Sequence, residues 1–388
     1  MLFKDVLGQD HIKKHLVTGA NEGRTPHAQL FVAPEGSGAL PMAVAYAQYL
    51  LCANKNGEND TGNASCNLKF EHFAHPDLHF AFPVAATSKV KSHPVSAAFM
   101  EEWRLFLKEQ PYGNLFDWYQ LLGVENKQGQ IGVDEAHDII KSLSLKSYEG
   151  GYKMMLIWMA EKMHPAAANK LLKLIEEPPD KTLFILIAED EEQIIQTIRS
   201  RCQILHFPPL AERVIKNALM ERGLSESEAV KAAHQAQGNF NKALDLMRSD
   251  SEDLIFEKWF ILWVRSAFKA KGSKSAVHDL INWSEQVSST GRENQKQFLQ
   301  YCLSVFRQAL LLNYKAGELV YMEMEDKSFR LGNFAPFVHG GNILDIAAAL
   351  QDAIYHIERN GNSKIILTDL SLELTRLLHK KEARETTS

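Results

Sequence analysis

Residues 154–188 read MMLIWMAEKMHPAAANKLLKLIEEPPDKTLFILIA, and their pattern sets the fold class. Two continuous apolar runs, 154–160 and 182–188, bracket the segment. Strands that are apolar throughout, rather than alternating, are buried on both faces, as in a parallel sheet. Between the runs, Ala167, Leu171, Leu174 and Ile175 fall at helical spacing, and Pro178 and Pro179 stop the helix. Strand, helix and strand within about thirty residues is a βαβ unit, whose crossover helix joins parallel strands. A run at 29–32 supplies another strand of the same buried kind, and 203–207 is a fourth candidate. Residues 1–208 are therefore expected to form one α/β domain on a parallel sheet, with an insertion at about 51–130.

The insertion opens on a polar, turn-rich stretch, NKNGENDTGNAS, and runs through HPDLHFAFPV into an aromatic helical segment near 99–119. Trp103, Phe106, Tyr112, Phe116, Trp118 and Tyr119 of that segment read as a small core, or alternatively as a partner groove. Composition changes after Pro208 and Pro209. Helical patterns broken at Gly223 and Gly238 suggest a small helical domain over 209–250, and helices separated by glycines continue over 251–378. The polar tail at 379–388 has little to bury.

Bulk properties exclude several classes. With 388 residues, 45% hydrophobic and 23% charged, the chain has the composition of a globular protein of roughly two or three domains. A net charge of -5 and a pI near 6.3 exclude a basic coat, though not a local basic face on DNA. The four cysteines, at 52, 66, 202 and 302, are too few and scattered for a disulfide framework. The start MLFKDVLGQD lacks the apolar run of a signal peptide, and no apolar stretch approaches the ~20 residues that span a bilayer. A cytoplasmic protein without membrane contact is expected.

Ala33-Pro34-Glu35-Gly36-Ser37-Gly38-Ala39-Leu40 follows the first strand and precedes a helix, the place of a phosphate-binding loop. Gly36 and Gly38 suit such a loop. A working one then needs Lys on the β- and γ-phosphates and Ser or Thr on Mg²⁺, and Ala39 and Leu40 stand there instead. The acid pair that would hold the metal is expected at the end of the 154–160 strand, where Trp158 and Met159 stand. Asp134-Glu135-Ala136-His137 is spelled like a DEAH box, but the amphipathic pattern after it puts Asp134 and Glu135 in a helix first turn, where negative charge is favoured. Thr197-Ile198-Arg199-Ser200-Arg201-Cys202 closes the α/β domain. Arg201 there is either an ordinary surface arginine or an arginine finger for a neighbour's phosphoryl group, and the tripeptide alone leaves both open.

Together these pieces resemble the bacterial clamp-loader AAA+ family, most closely the δ′ class of DNA polymerase III. The segments that carry the resemblance are Val6-Leu7-Gly8-Gln9, His27 to Phe31, Ala160 to Met163, Ala168 to Pro179, and Thr197 to Cys202. It is strong over 1–250 outside the insertion and weak beyond. The resemblance implies an AAA+ α/β domain, a small helical lid at 209–250 and a helical oligomerisation collar at 251–378. It also implies that Arg201 completes the ATP site of an adjacent γ/τ subunit, with Ser200 and Cys202 shaping the loop. Lys242 stands at the place of the family's sensor-2 arginine. The family's zinc cysteines are represented by Cys52 and Cys66, with Asp60 and Asn63 near the places of the missing pair. Neutral Asn63 is a poor ligand, so Cys52 and Cys66 are read as relics, and neither zinc nor productively bound ATP is expected.

The function implied is that of a non-hydrolytic clamp-loader subunit, not an enzyme on its own, within a complex whose DNA-directed DNA polymerase activity lies elsewhere. Its implied partners are γ/τ ATPase subunits, a δ subunit, the sliding clamp through the complex, and the backbone of primer-template DNA. The competing readings are an active γ/τ motor, which lacks its Lys-Thr and Asp-Glu pairs here, a DEAH helicase, and a δ-like clamp-opening subunit, against which the Ser-Arg-Cys tripeptide speaks.

Overall fold

The computed structural model describes residues 1–52, 63–124, 127–149, 151–248, 252–320, 322 and 324–381. Asp60 and residues 382–388 of the polar tail lie outside the described residues. The chain divides into two compact units, residues 1–124 with 128–247, and residues 125–127 with 248–388.

The first unit is built on five strands: β1 (Ala28–Val32), β2 (Leu78–Ala81), β3 (Lys153–Trp158), β4 (Thr182–Ala188) and β5 (Gln203–His206). They form one sheet in the order β2-β3-β4-β1-β5, and every neighbouring pair is parallel. The helices in chain order are α1 (Asp10–Asn21), α2 (Ala39–Cys52), α3 (Ala64–Glu71), α4 (Met100–Glu109), α5 (Leu115–Leu122), α6 (Val133–Ser144), α7 (Pro165–Glu176) and α8 (Gln196–Arg199). α7 is the crossover between β3 and β4, and Pro165 stands at its start, where a missing N–H costs nothing. β3 and β4 are buried along their whole length, as their continuous apolar sequences require.

Successive strand residues point to opposite faces, and each face has its own core. Phe31, Met154, Leu156 and Trp158 pack with residues of α1, α2, α4 and α5, while Leu30, Met155, Ile157 and Phe184 pack with α6 and α7. The four expected strands are present. The run at 154–160 stops as a strand at Trp158, because Met159 turns into the left-handed region at φ 54°.

β2 is a fifth strand, not expected from the sequence, and it falls within the stretch read as an insertion. It is only four residues long and lies between Pro76 and Pro83, too short for a periodic signal. The aromatics of 99–119 extend the sheet's core. Trp103 is fully buried, stacked on Phe82 at 4.1 Å between centroids and edge-on to Trp118 at 5.2 Å. Its ring also lies 5.2 Å from Trp158. The Trp118 indole donates to the Pro83 carbonyl at 2.8 Å, so its one polar atom is satisfied.

Three further helices complete this unit: α9 (Glu212–Glu221), α10 (Glu226–Ala236) and α11 (Phe240–Arg248). Ile215, Leu219, Ala233 and Phe240 form their core, and Ser225 opens α10 with a capping box to Glu228.

The second unit is helical throughout its described residues: α12 (Glu252–Ala270), α13 (Lys274–Ser288), α14 (Arg292–Asn313), α15 (Leu331–Phe334), α16 (Ile343–Glu358) and α17 (Ser363–Leu377). Trp263 stacks on Trp283 at 4.9 Å, and the two indoles donate to Ser371 Oγ and to the Trp259 carbonyl, each at 3.0 Å.

Trp103→Ala removes the ring on which the aromatic core of the first unit converges. It is expected to lower that unit's unfolding free energy by about 3–5 kcal/mol, measured by urea denaturation followed by far-UV circular dichroism.

Candidate functional site

In an open parallel sheet, ligands approach the carboxyl ends of the strands. Here residues 33–38 leave β1 and enter α2 at Ala39. Gly36 and Gly38 have φ of 68° and 96°, which favour glycine. A Cβ on Gly36 would lie 1.9 Å from Asn239 Oδ1, so the loop backbone is tightly covered.

Three stretches of chain hold this loop. Gln9 Nε2 donates to the Ser37 carbonyl at 3.0 Å and to the Pro208 carbonyl at 2.7 Å. The Glu35 carboxylate accepts from Asn114 Nδ2 and Asn239 Nδ2, both at 3.0 Å. The Phe240 N–H donates to the Gly36 carbonyl at 3.1 Å. Tyr112 closes the remaining side: its ring lies 3.0 Å from where a Gly38 Cβ would be, and its hydroxyl accepts from the Leu7 N–H at 2.7 Å. Burial pushes that phenol up to about 12, so it stays neutral. Lys242 is exposed, and its N–H caps onto Asn239 Oδ1 at 3.0 Å.

Ala39, Leu40, Trp158 and Met159 are all buried against the loop. With Pro34, Gly36, Gly38, Tyr112 and Glu189 they line a cavity of about 40 Å³, against the roughly 300–1,000 Å³ of ordinary ligand pockets. These residues do not fit a nucleotide: the volume is too small, and the carboxylate beside the glycines repels phosphate. From sequence, Tyr112 reads only as part of the aromatic cluster and Glu35 only as part of the loop; Asn114 and Asn239 have no role there, since isolated polar residues far apart carry no periodic signal.

Asp134 and Glu135 lie in the first turn of α6, and neither lines this cavity. Asp134 is exposed and pairs with His93 Nδ1 at 2.7 Å. Glu135 is buried and accepts the Ser96 N–H at 2.5 Å, fastening residues of the former insertion to α6.

Ser200, Arg201 and Cys202 join α8 to β5. The Arg201 Nη1 donates to the Thr197 carbonyl and Nη2 to Glu176 Oε2, each at 2.9 Å. Its side chain is 31% exposed, and it does not line the cavity beside the loop of its own chain. Ser200 Oγ donates to the Thr197 carbonyl at 3.2 Å, which tightens the turn. Burial pushes the Cys202 thiol up to about 11, so it is an inert packing group. Arg199 is engaged elsewhere, with Glu192 at 2.7 Å.

Cys52 and Cys66 are bonded to each other, which corrects the reading of two idle thiols or relic metal ligands. They are 14 residues apart in sequence, but α2 and α3 bring their Cα atoms to 5.5 Å, within the range a disulfide spans. Asn63 Oδ1 accepts the Ser65 N–H at 2.9 Å as the N-cap of α3. A ligand atom each from Cys66, His75 and Glu149 lie within 4.8 Å of one another. Yet the Cys66 sulfur is in the disulfide, Lys69 pairs with Glu149, and His75 Nδ1 accepts the Asp77 N–H. That donor set does not fit zinc, which wants deprotonated, uncommitted ligands.

A parallel sheet with a glycine loop at the mouth of β1, and helices seated on that loop, defines a nucleotide-loop α/β protein whose loop is filled by its own side chains. Residues 8–211, more than half of the chain, match the family model described as DNA polymerase III, delta subunit, and the chain belongs to that family. It is 28% identical over 242 residues to DNA polymerase III subunit delta′ of Bacillus subtilis (strain 168), covering 62% of this chain and 60% of the relative. The Escherichia coli (strain K12) subunit delta′ is 27% identical over 239 residues, covering 61% and 59%. The tau subunit of Bacillus subtilis (strain 168) is 26% identical over 282 residues, covering 71% of this chain and 42% of that one. The matched stretches thus span about 60% of the length of the delta′ relatives.

Burial lifts the Glu135 carboxyl from its ordinary 4.5 to about 7. With the folded pKa above the unfolded one, its stabilising contribution is complete below pH 4.5 and lost as pH rises through 7. Glu135→Gln, which still accepts from Ser96, should therefore exceed the parent in stability at pH 8 by on the order of 1–3 kcal/mol. The gain should shrink as the pH falls and vanish below the unfolded value of 4.5, as read by urea unfolding at pH 8 and at about pH 4.

Proposed function

We propose that this chain is a non-hydrolytic, δ′-type subunit of a bacterial clamp loader, which supplies Arg201 in trans to the ATP site of a neighbouring γ/τ-type ATPase. The observation that carries this reading is the phosphate loop filled from within. Tyr112, Trp158 and Met159 line the small cavity at the loop, and Asn114 and Asn239 hold a carboxylate beside the glycines, which supports a site without room for a nucleotide. A chain that cannot hold ATP has no use in cis for an arginine of the finger type, whereas an adjacent subunit has. Membership of the family and the match to delta′ subunits support the clamp-loader setting.

In this role the chain binds γ/τ and δ subunits, meets the sliding clamp through the complex and touches primer-template DNA by its backbone, in the cytoplasm. The helical second unit is the proposed collar. An active γ/τ motor is the second reading, favoured by the match to a tau subunit. It requires Lys and Thr where Ala39 and Leu40 are buried, so the chemistry opposes it.

Equilibrium dialysis decides between the two. The purified chain should bind no ATP at millimolar nucleotide, with or without Mg²⁺; tight Mg²⁺-dependent binding would restore the motor reading. In a reconstituted complex, Arg201→Ala should leave assembly intact and lower DNA-stimulated ATP hydrolysis and clamp loading, since an arginine finger is worth about 10³-fold or more at the site it serves. An unchanged rate at every site would remove the finger.

A further inference from the structure

We propose that Glu176 is an internal stand-in for phosphate, which parks Arg201 against its own chain until a neighbour's nucleotide displaces it; this rests on the finger reading above. A carboxylate and a phosphoryl group offer a guanidinium the same thing, oxygens spaced for a planar fork of N–H donors. Glu176 Oε2 holds Nη2 of Arg201 at 2.9 Å, and the Thr197 carbonyl holds Nη1 at 2.9 Å. The third nitrogen, Nε, is buried and has no partner.

Both outer nitrogens are thus engaged within the chain, while an inner donor is left orphaned. A buried donor without a partner is destabilising, so this pose gains from a swing that brings Nε an acceptor. A phosphoryl group with several oxygens can supply one.

The strength of the pair suits a contact made to be exchanged. The Glu176 side chain is 54% exposed and that of Arg201 31%, so an outside ligand reaches both. Ion pairs this open are weak and give way to a multiply charged anion. Glu176 is also the last residue of α7, where the helix dipole disfavours a carboxylate. A cation at this place is locally favourable in the unassembled chain, and when Arg201 leaves, the exposed Glu176 is compensated by water. Parking keeps the guanidinium from other anions and makes its release depend on a phosphate being in place.

The test is ATP hydrolysis, measured against ATP concentration, by the complex reconstituted from the full chain and γ/τ-type ATPase subunits with primed DNA. Parent, Glu176→Gln, Arg201→Ala and the double variant are compared. Parking predicts that Glu176→Gln lowers the ATP concentration for half-maximal rate by up to about fivefold, the range an exposed ion pair accounts for. The gain should disappear in the double variant, because it acts only through Arg201.

A Glu176→Gln complex that needs the same or more ATP overturns the proposal, and so does a gain that survives without Arg201. If Glu176→Gln is misfolded by circular dichroism, Glu176→Asp, which draws the carboxylate back by one methylene, reads the same effect at smaller size, with the same outcomes. Arg201→Ala hydrolysing at the parent rate removes the finger itself, whatever Glu176 does, so the two failures are distinguishable.

Discussion

Glu35 sits in the glycine loop and accepts hydrogen bonds from Asn114 and Asn239, residues 79 and 204 positions away along the chain. One position on, the Gly36 carbonyl takes the Phe240 N–H. A carboxylate next to a loop of backbone N–H groups is ordinarily replaced by the phosphate such loops are shaped for. Here it is fixed by two neutral amides, and hydrogen bonds to a charged group are each worth about 1.5–3 kcal/mol. The position of the aromatic segment, through Asn114 and Tyr112, and that of α11, through Asn239 and Phe240, both depend on this convergence. An incoming nucleotide would have to break it and then face the charge it releases.

The same region has been turned into core. Trp158 ends β3 beside Trp103 and Phe106, with ring centroids at 5.2 and 5.5 Å. Burying a side chain of that size stabilises a fold by roughly 4–6 kcal/mol on area alone, whereas an aspartate in such surroundings would need a metal or a cation as partner. Stability and nucleotide chemistry are therefore exclusive uses of this strand end. The aromatic core links β3 to the 99–119 segment through Trp158.

How much of this was legible in the sequence follows the range of the interactions. Continuous apolar runs announced β1, β3 and β4, because burial on both faces leaves a local mark. β5 is present but is the edge strand, with Gln203 and His206 exposed and Ile204 and Leu205 half-buried, so the expectation of a fully buried strand there is corrected. β2 left none, being a four-residue strand between two prolines. Trp158 and Met159 could be read as replacements because a strand end has a fixed chemical expectation. The residues that fill and pin the loop could not: Tyr112, Asn114 and Asn239 are single polar or aromatic groups whose meaning arises only when distant stretches meet. The Cys52–Cys66 bond was missed for a related reason. Counting four scattered cysteines tests for a framework, and says nothing of two helix ends that close to 5.5 Å between Cα atoms. Arg201 was singled out by its local tripeptide with both readings left open, and Glu176, 25 residues away, was read only as part of the Ala168 to Pro179 run, so their pairing was not foreseen.

The network around the loop also bears on how the helices that follow the sheet are held. In a subunit that responds to nucleotide, helices following the sheet must move when the phosphates arrive, so their contacts with the loop must be remade by the ligand. Here α11 is tied to the loop by Asn239 and Phe240 and to α5 by Asn241, whose amide donates to Asp117 at 2.7 Å. Arg222 covers the Phe240 ring at 4.9 Å, and Tyr112 meets it edge-on at 5.0 Å. These bonds join α11 to the loop without a ligand between them. A site can drive a population shift only through a ligand that binds one arrangement better than another. A fixed first unit suits the proposed role: a platform that holds the backbone at Arg201 in place, so that the side chain alone answers to the neighbour's nucleotide.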